Sequence, residues 1–426
     1  MTEVSTGEIV GIASRKAATA VLKAHVAVLK GTPLRKAISE ALAGGGNLGG
    51  KERRFIAFAT RELSRHLRRL NLLASARGQP MSKLHLPEDQ AIFRYALWRK
   101  HVCGAGIDKI MTEIQLPGPI RPRGVPDQFI RDETNKQVEV DWGSTPLERA
   151  ANLHSFPTWL AEKIAAIAPE GEVDAVLEAL NREPTLTLRV RPPGSRDALL
   201  PELKDFPVEA CAEVPDAIRV TDGSRAIFES RWMKEGRLQV MDLGSQLLAA
   251  FCEAKPGQSV VDYCAGAGGK TLVLADAVGP TGRVYAWDLS EKRLAEAKSR
   301  VGELKLRHVS FPSQPRIDLA DLVLIDAPCS GTGTLGREPD QKWKLTAKEI
   351  ETLTATQLGI LKDVSKRLKP GAAMIYGTCS VLREENEGVV ERFLGANPGF
   401  KLTAALRVWP HRVEGGGFFG ARLVAL

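Results

Sequence analysis

From about residue 241 onward, short apolar runs that favour strands alternate with stretches that favour helices. The apolar runs lie at 259–263, 284–287 and 322–325. The helical stretches lie at 291–301, 347–368 and 385–394. This alternation is typical of a doubly wound α/β sheet, in which helices cover both faces of parallel strands. Ligands bind such sheets beyond the carboxyl ends of the strands. The residues that follow each strand are therefore the first candidates for a functional site.

A glycine-rich loop directly follows the first of these apolar runs. Its glycines allow a tight turn and a close approach of the backbone to a ligand, and the helix that follows offers unpaired N–H groups to an anion. A carboxylate such as that of methionine suits this loop. The glycine spacing departs from both the dinucleotide and the phosphate-loop motifs. The residues that we expect to contact a ligand here are Cys264, Ala265, Gly266, Ala267, Gly268, Gly269 and Lys270.

The next apolar run ends in Trp287 and Asp288. An acid at this position can accept hydrogen bonds from both hydroxyls of a ribose. It can also simply cap the helix that starts after Ser290. The glycine loop and Asp288 together predict a cofactor that contains a nucleoside.

Two of the six cysteines follow later strands. Cys329 comes three residues after Asp326, and Cys379 follows the apolar run that ends near Thr378. We therefore expect both thiols at the same edge of the sheet, facing the cofactor. No cysteine pair or cluster has the spacing of a metal site, so we expect no metal.

Two thiols beside a carboxyl suit one particular chemistry. Carbon 5 of cytosine is a poor nucleophile, and a thiolate that adds to carbon 6 makes it able to attack a methyl group. The charge that develops on the ring is relieved by a proton on N3, which Asp326 can donate if its carboxyl stays neutral in a dry site. The residues alone leave open whether Cys329 or Cys379 attacks.

The N-terminal region, from residue 13 to about 116, is typical of helices, with a break at the glycine-rich stretch 44–50. The segment 51–70 predicts one amphipathic helix with an apolar stripe. Its opposite face carries arginines without an acidic partner, which fits either a solvated surface or contact with RNA phosphates. The net charge of +8 favours a polyanionic partner. The candidate RNA-binding residues are Arg54, Arg61, Arg65, Arg68 and Arg69.

Proline and glycine between residues 117 and 126 indicate a linker. We predict an all-helical domain over 1–135, a small α+β domain over 136–240 and the α/β domain over 241–426. No apolar run is long enough to span a bilayer, and the first residues lack a secretory signal, so we expect a cytoplasmic protein without a membrane partner.

The chain resembles the RsmB/Sun family of RNA 5-methylcytosine methyltransferases. The middle region shares 155–160 and 180–190 with that family, and the N-terminal helices are similar to its NusB-type RNA-binding domain. The segments of the α/β region that carry the resemblance are 241–247, Cys264–Lys270, Asp288 with Arg293, 326–333, Arg337, 339–340, 342–343, 378–380, 385–387 and 417–419.

The resemblance implies a Rossmann-like fold that uses S-adenosyl-methionine, and a cytosine of small-subunit (16S) ribosomal RNA as the substrate. It implies that Cys379 is the nucleophile, that Cys329 aids release, and that Cys264 to Lys270, Asp288 and Asp326 contact the cofactor. The chain departs from the family pattern at Ala267, at Gly377, at Gly416 and in the stretch 309–314, which lacks an acid for the adenine end of the cofactor.

Alternative functions remain open on the sequence. The chain could be a non-catalytic RNA-binding or ribosome-assembly factor with a relict methyltransferase domain, or an enzyme that modifies another RNA. DNA cytosine methylation is less favoured, because those enzymes place the nucleophile after a proline and lack the Thr378-Cys379-Ser380 segment.

Overall fold

We describe a computed structural model over residues 13–79, 81–115, 126–221 and 225–426. The predicted linker lies almost wholly outside these described residues, and the domain boundaries at 135 and 240 stay predictions. Chain contacts define two compact units, Met1–Asn181 with Leu335–Lys344, and Arg182–Thr334 with Leu345–Leu426. We call them the helical unit and the sheet unit. None of the helices described is both long and apolar enough to cross a membrane.

The described part of the helical unit contains no strand, which confirms the prediction of an all-helical N-terminal region. Local signals set several helix starts: the Ser14 hydroxyl accepts from the Ala17 N–H, and the Glu52 carboxylate accepts from the Gly49 N–H. Its helices are α1 Arg15–Leu29, α2 Leu34–Gly44, α3 Gly50–Arg65, α4 Leu67–Ala76, α5 Pro87–His101, α6 Ile107–Glu113, α7 Asp127–Asn135, α8 Pro146–Leu153, α9 Thr158–Ala165, α10 Val173–Asn181 and a short helix Gln341–Lys344.

Helix α5 lies at the centre of the helical unit. Tyr95 and Trp98 are fully buried there. The charged Arg99 is also buried, and it is tolerated because its guanidinium donates to both carboxylate oxygens of Glu113, at 2.7 and 2.8 Å. The Tyr95 hydroxyl donates to the same carboxylate.

The predicted single helix over 51–70 is wrong. The structure has two helices, α3 and α4, and His66 between them has φ −99° and ψ 16°. The apolar stripe itself is correct, because Ile56, Leu63 and Leu70 are fully buried. Helical spacing alone did not reveal the break, since both segments direct this stripe to the same core.

The sheet unit begins with a small antiparallel sheet. Its strands are β1 Thr187–Val190, β2 Val208–Ala210, β3 Ala217–Val220 and β4 Leu238–Val240, in the order β2-β3-β1-β4. Helices α11 Arg196–Leu199, α12 Arg225–Glu229 and α13 Arg231–Lys234 accompany it. The alternating apolar residues around Leu188 predict β1, and Leu188 is fully buried.

The larger sheet of this unit is doubly wound, as predicted. Its described strands have the order β10-β11-β9-β8-β5-β6-β7, in which β5 to β9 are parallel and β10 and β11 antiparallel. The strands are β5 Ser259–Asp262, β6 Arg283–Ala286, β7 Val309–Ser310, β8 Leu322–Asp326, β9 Ala373–Thr378, β10 Phe400–Val408 and β11 Phe418–Ala425.

Helices pack against this sheet and complete its core. Val260, Val323 and Ile375 are fully buried, as expected for strands covered on both faces. The helices of this part are α14 Leu243–Phe251, α15 Gly269–Val278, α16 Glu291–Glu303, α17 Ala347–Ser365, α18 Glu387–Ala396 and α19 Pro410–Val413. This fold is Rossmann-like, with the carboxyl ends of β5, β6, β8 and β9 at one edge.

Candidate active site

The two candidate cysteines lie side by side at the carboxyl edge of the sheet. Strands β8 and β9 are neighbours, and Asp326 pairs with Gly377 in their register. The loops that follow therefore meet, and the Sγ atoms of Cys329 and Cys379 are 3.3 Å apart. Both thiols are partly exposed. The predicted proximity of the thiols is confirmed, whereas their separate roles stay predictions.

The contact between these thiols shifts their pKa values in opposite directions. The hydrogen bond from Cys329 lowers the pKa of Cys379, and the same contact together with burial raises the pKa of Cys329 well above its ordinary value. Cys379 is thus the thiol that ionises more readily. A thiolate is the form that attacks an electrophilic carbon.

Asp326 forms an ion pair at the same edge. Its carboxylate is 2.7 Å from the Lys270 ammonium, and Lys270 lies 5.6 Å from the centre of the Phe418 ring. Burial lowers the pKa of Lys270, but the nearby Asp326 raises it by more, so the net shift of that pKa is upward. Lys270 is the proton-bearing partner in this contact, and the role of Asp326 as a proton donor stays a prediction.

The glycine loop forms an open cradle between β5 and α15. Gly266 and Gly268 have positive φ, 52° and 82°, a conformation that favours glycine. Gly268 caps α15, and no side chain accepts from the first N–H groups of that helix. Those groups remain available to a ligand carboxylate, which fits the methionine end of S-adenosyl-methionine.

Asp288 is buried at the end of β6 and supports this loop. One carboxylate oxygen accepts from the Gly266 N–H and the other from the Ser290 N–H, both at 2.8 Å. The cap of α16 is Ser290 itself, whose hydroxyl accepts from Arg293 N–H. Leu289 is 89% exposed beside this acid, so an apolar surface is available to a nucleobase.

A second apolar surface lies where the resemblance would place an acid. Phe311 follows β7 and packs against Ala265, Ala286 and Leu294. Strands β6 and β7 are parallel neighbours. Asp288 and Phe311 therefore lie just beyond the carboxyl ends of two adjacent strands. The stretch without an acid thus offers an aromatic side chain at the cofactor edge.

Asp262 is a site residue that sequence reasoning missed. It is buried at the end of β5, and one oxygen accepts from the Thr271 hydroxyl at 2.6 Å. Its other oxygen has no hydrogen-bond partner among the residues described. Burial raises its pKa to about 7. The signal was available as the acid that immediately precedes Tyr263 and the glycine loop.

The small sheet supports the glycine loop from behind. Gln239 on β4 donates to the Gly269 carbonyl at 2.8 Å. Arg189 contacts Gln239 and also shares the Asp276 carboxylate with Arg191, with N–O distances of 2.8–2.9 Å. Asp276 lies on α15, so these contacts hold that helix and its N-terminus in place.

Two buried polar residues join the cysteine loops. Glu385 accepts from Ser330 and Ser380, the residues immediately after the two cysteines. Asn386 accepts from Thr378 and donates to the Ser380 carbonyl. The resemblance included residues 385–387 but gave them no role. Their contacts depend on β8 and β9 being neighbours, which the sequence does not show.

The departures at Gly377 and Gly416 have steric explanations. A Cβ atom on Gly377 would lie 2.7 Å from the Leu248 side chain, and one on Gly416 would lie 2.9 Å from Phe418. The Gly416 N–H also donates to Asp242, the residue that caps α14. Both glycines thus fit the packing around the cysteine loops.

The five candidate arginines of α3 and α4 do not all lie on an exposed face. Arg65 is buried, pairs with Glu62 and donates to the Gly336 carbonyl at 2.6 Å. The prediction that this face lacks an acidic partner is therefore wrong.

The remaining arginines of this set divide into two groups. Arg68 donates to Asn152, Phe156 and Thr158, and Arg69 lies 5.8 Å from the centre of the Trp142 ring. Arg54 is exposed and Arg61 is partly exposed. Arg68 and Arg69 are partly exposed as well, so four of the five predicted RNA contacts keep some surface exposure and stay predictions.

No cluster of potential metal ligands occurs over the ranges described. The Rossmann-like sheet, the glycine loop and the acid after β6 define a methyltransferase that uses S-adenosyl-methionine.

Comparisons with known proteins place the chain more narrowly. Residues 249–424 match the family model of the 16S rRNA methyltransferase RsmB/F, and residues 156–226 match the ferredoxin-like domain of RsmF/B-like methyltransferases. Ribosomal RNA small subunit methyltransferase B of Citrobacter koseri is 33% identical over 330 residues, 73% of this chain and 74% of that protein. The probable enzyme of the same name from Synechocystis is 30% identical over 63% of this chain and 67% of that protein. The chain belongs to the RsmB/F family of 16S rRNA methyltransferases.

Solved structures agree on the fold. The crystal structure of PH0851 superposes with a TM-score of 0.76 at 23% identity, covering 96% of this chain and 99% of that one. A methyltransferase homologue from Pyrococcus horikoshii gives 0.59 at 23% identity, covering 66% and 100%. The fold prediction is confirmed.

Proposed function

We propose that this protein methylates carbon 5 of a cytosine in small-subunit ribosomal RNA through a covalent adduct on Cys379. The observation that carries the proposal is the 3.3 Å contact between Cys379 and Cys329 beside the Lys270–Asp326 ion pair. This arrangement supplies a thiolate, a thiol donor and a proton source at one edge, which is the set that addition to a pyrimidine requires.

In the first step, the Cys379 thiolate forms a bond to carbon 6, and the electrons of the 5,6 double bond make carbon 5 nucleophilic. S-adenosyl-methionine supplies the methyl group that bonds to carbon 5. The negative charge on the ring is relieved by a proton on N3, which Lys270 provides through Asp326. Lys270 and Asp326 deliver this proton together, because the Lys270 ammonium donates a 2.7 Å charge-assisted hydrogen bond to the Asp326 carboxylate.

In the second step, the proton on carbon 5 passes to water and the bond between carbon 6 and sulfur breaks. The sulfur departs as a thiolate, and the Cys329 thiol donates a hydrogen bond to it. The N3 proton returns to the Lys270–Asp326 pair, which restores the starting state. Cys329 therefore acts on release, because a better-stabilised thiolate leaves faster.

The RNA assignment rests on the family and on charge. The relatives are named for small-subunit ribosomal RNA, and a net charge of +8 attracts a polyanion. Arg54, Arg61, Arg68 and Arg69 are the candidate phosphate contacts of the helical unit, whereas Arg65 is buried and supports its internal packing.

The test is a methylation assay on ribosomal RNA from a strain that lacks this protein. The purified enzyme with S-adenosyl-methionine should form 5-methylcytidine, detected by mass spectrometry of nucleosides and located by bisulfite sequencing. Cys379→Ala should abolish the product, and Cys103→Ala, in the helical unit, should leave it unchanged. Another methylated nucleoside, or full activity in Cys379→Ala, would refute the proposal.

Binding of the cofactor separates this proposal from the non-catalytic alternative. Calorimetry should show that S-adenosyl-methionine binds the wild-type protein without RNA. No binding at about 1 mM, which corresponds to less than about 4 kcal/mol of affinity, would favour an RNA-binding or assembly factor with a relict domain.

A further inference from the structure

We propose that Glu385 is the positioning residue of this active site: it joins the two Cys-Ser turns and thereby holds the Cys329 and Cys379 sulfurs in contact. The inference rests on the proposed function, because it assigns a purpose to that contact. Glu385 itself is fully buried and touches neither sulfur in the contacts described.

The sequence after each cysteine supplies the connection. Cys329 is followed by Ser330 and Cys379 by Ser380. Both serine hydroxyls donate to the same carboxylate oxygen of Glu385, the Ser380 bond being 2.6 Å long. The two loops are 50 residues apart in the chain at the cysteines, so this oxygen fixes a spacing that neither loop can set alone.

The other oxygen of Glu385 has donors as well. It accepts from the Ser330 N–H at 2.8 Å and from the Gln357 amide at 3.1 Å, and Gln357 also donates to the Pro328 carbonyl. The carboxylate thus receives donors on both oxygens, and these contacts offer it no acceptor. An ionised carboxylate satisfies this pattern, whereas an amide places its own N–H₂ group against a donor.

Hydroxyl protons elsewhere in the network follow from this arrangement. Because Ser380 donates its one proton to Glu385, its oxygen must accept from Thr332 at 2.9 Å. Thr332 in turn accepts from the Val381 N–H, and the Gly333 N–H donates to the Cys379 carbonyl. The loops are therefore joined by a continuous hydrogen-bonded network in which Glu385 is the only carboxylate described.

The effect of Glu385 on Cys379 has two opposing parts. Its negative charge disfavours the Cys379 thiolate, as does that of Asp326, whereas Lys270 and the hydrogen bond from Cys329 favour it. The Cys329 hydrogen bond is the largest influence on the pKa of Cys379. If Glu385 acts by position, removing it raises the pKa of Cys379. If it acts only by charge, removing it lowers that pKa.

The experiment compares Glu385→Gln with Glu391→Gln, a matched control whose carboxylate forms an exposed ion pair with Arg383. The rate of iodoacetamide labelling of Cys379 is followed against pH in the full chain, with peptides resolved by mass spectrometry. We expect the midpoint to rise by about one pH unit in Glu385→Gln. It should stay in place in Glu391→Gln.

The kinetic part of the experiment separates positioning from binding. We expect kcat to fall about tenfold or more in Glu385→Gln, with the Kd for S-adenosyl-methionine unchanged. If that variant does not fold, Ser330→Ala and Ser380→Ala each remove one hydroxyl and should move the midpoint in the same direction.

A midpoint that is unchanged or falls in the folded variants would overturn the inference, and a lower Tm alone would indicate a merely structural role. Thiol labelling needs no RNA, so its outcome is independent of the proposed function. If the wild-type protein made no 5-methylcytidine, the proposed function would fail even with the expected midpoints.

Discussion

Replacing Gly333 by alanine should disrupt the contact between the two cysteine loops. A Cβ atom there would lie far inside van der Waals contact distance of the Gly417 carbonyl oxygen and 2.8 Å from the Cys379 carbonyl oxygen. Both neighbours are backbone atoms, so they can give way only if a strand end moves. The Gly333 N–H bond to the Cys379 carbonyl and the Gly417 N–H bond to the Gly333 carbonyl would be strained or lost.

The expected cost follows from these contacts. Overpacking costs about 1–3 kcal/mol and each lost hydrogen bond about 1 kcal/mol, so the free energy of unfolding should fall by about 3–5 kcal/mol. Activity should fall on the order of 100-fold in molecules that stay folded, because a shift of about 1 Å misplaces the thiols. Urea unfolding and the methylation assay measure the two effects.

Gly359→Ala provides a control with the opposite sign. Gly359 lies within α17, and a Cβ atom there would have no neighbour within 4 Å. Alanine should therefore stabilise the helix by about 0.4–1 kcal/mol. Equal stabilities for Gly333→Ala and Gly359→Ala would refute the steric reasoning.

Two further predictions concern buried carboxylates of the sheet unit. Asp276→Ala leaves Arg189 and Arg191 buried without their shared partner, so urea unfolding should show a loss of about 3–5 kcal/mol, and a loss below about 1 kcal/mol would contradict this. Asp262 has a folded pKa of about 7, above its ordinary value, so the folded state binds this proton more tightly. Its contribution to stability is full below about pH 4 and is lost as pH rises towards 7. Asp262→Asn should remove this pH-dependent loss of stability. A variant whose free energy of unfolding varied with pH as in the wild type would refute the prediction.

Strands buried on both faces could be predicted from the sequence. The apolar runs at 259–263, 284–287 and 322–325 correspond to β5, β6 and β8 within a residue or two at each end. The antiparallel strands β10 and β11 were not predicted. Strand β10 is an edge strand and most of its residues are only partly buried or exposed, so it carries no apolar run.

The site was predictable where its residues follow strands and unpredictable where they depend on neighbours. The proximity of Cys329 and Cys379 follows from the strand ends, but the role of Glu385 requires the pairing of β8 with β9. The ion pair between Asp326 and Lys270 was not predicted, because the loop position of Lys270 does not reveal its 2.7 Å contact. The burial of Arg65 was missed although its partner Glu62 lies only three residues earlier, because helical spacing does not show that Arg65 also donates to the Gly336 carbonyl.

The covalent adduct tests the central claim most directly. RNA that carries 5-fluorocytidine at the target position cannot lose a proton from carbon 5, so the adduct should persist in the presence of S-adenosyl-methionine. Digestion and mass spectrometry should find the nucleotide on the peptide that contains Cys379. An adduct on Cys329, or no adduct with an RNA that the enzyme otherwise methylates, would contradict the account.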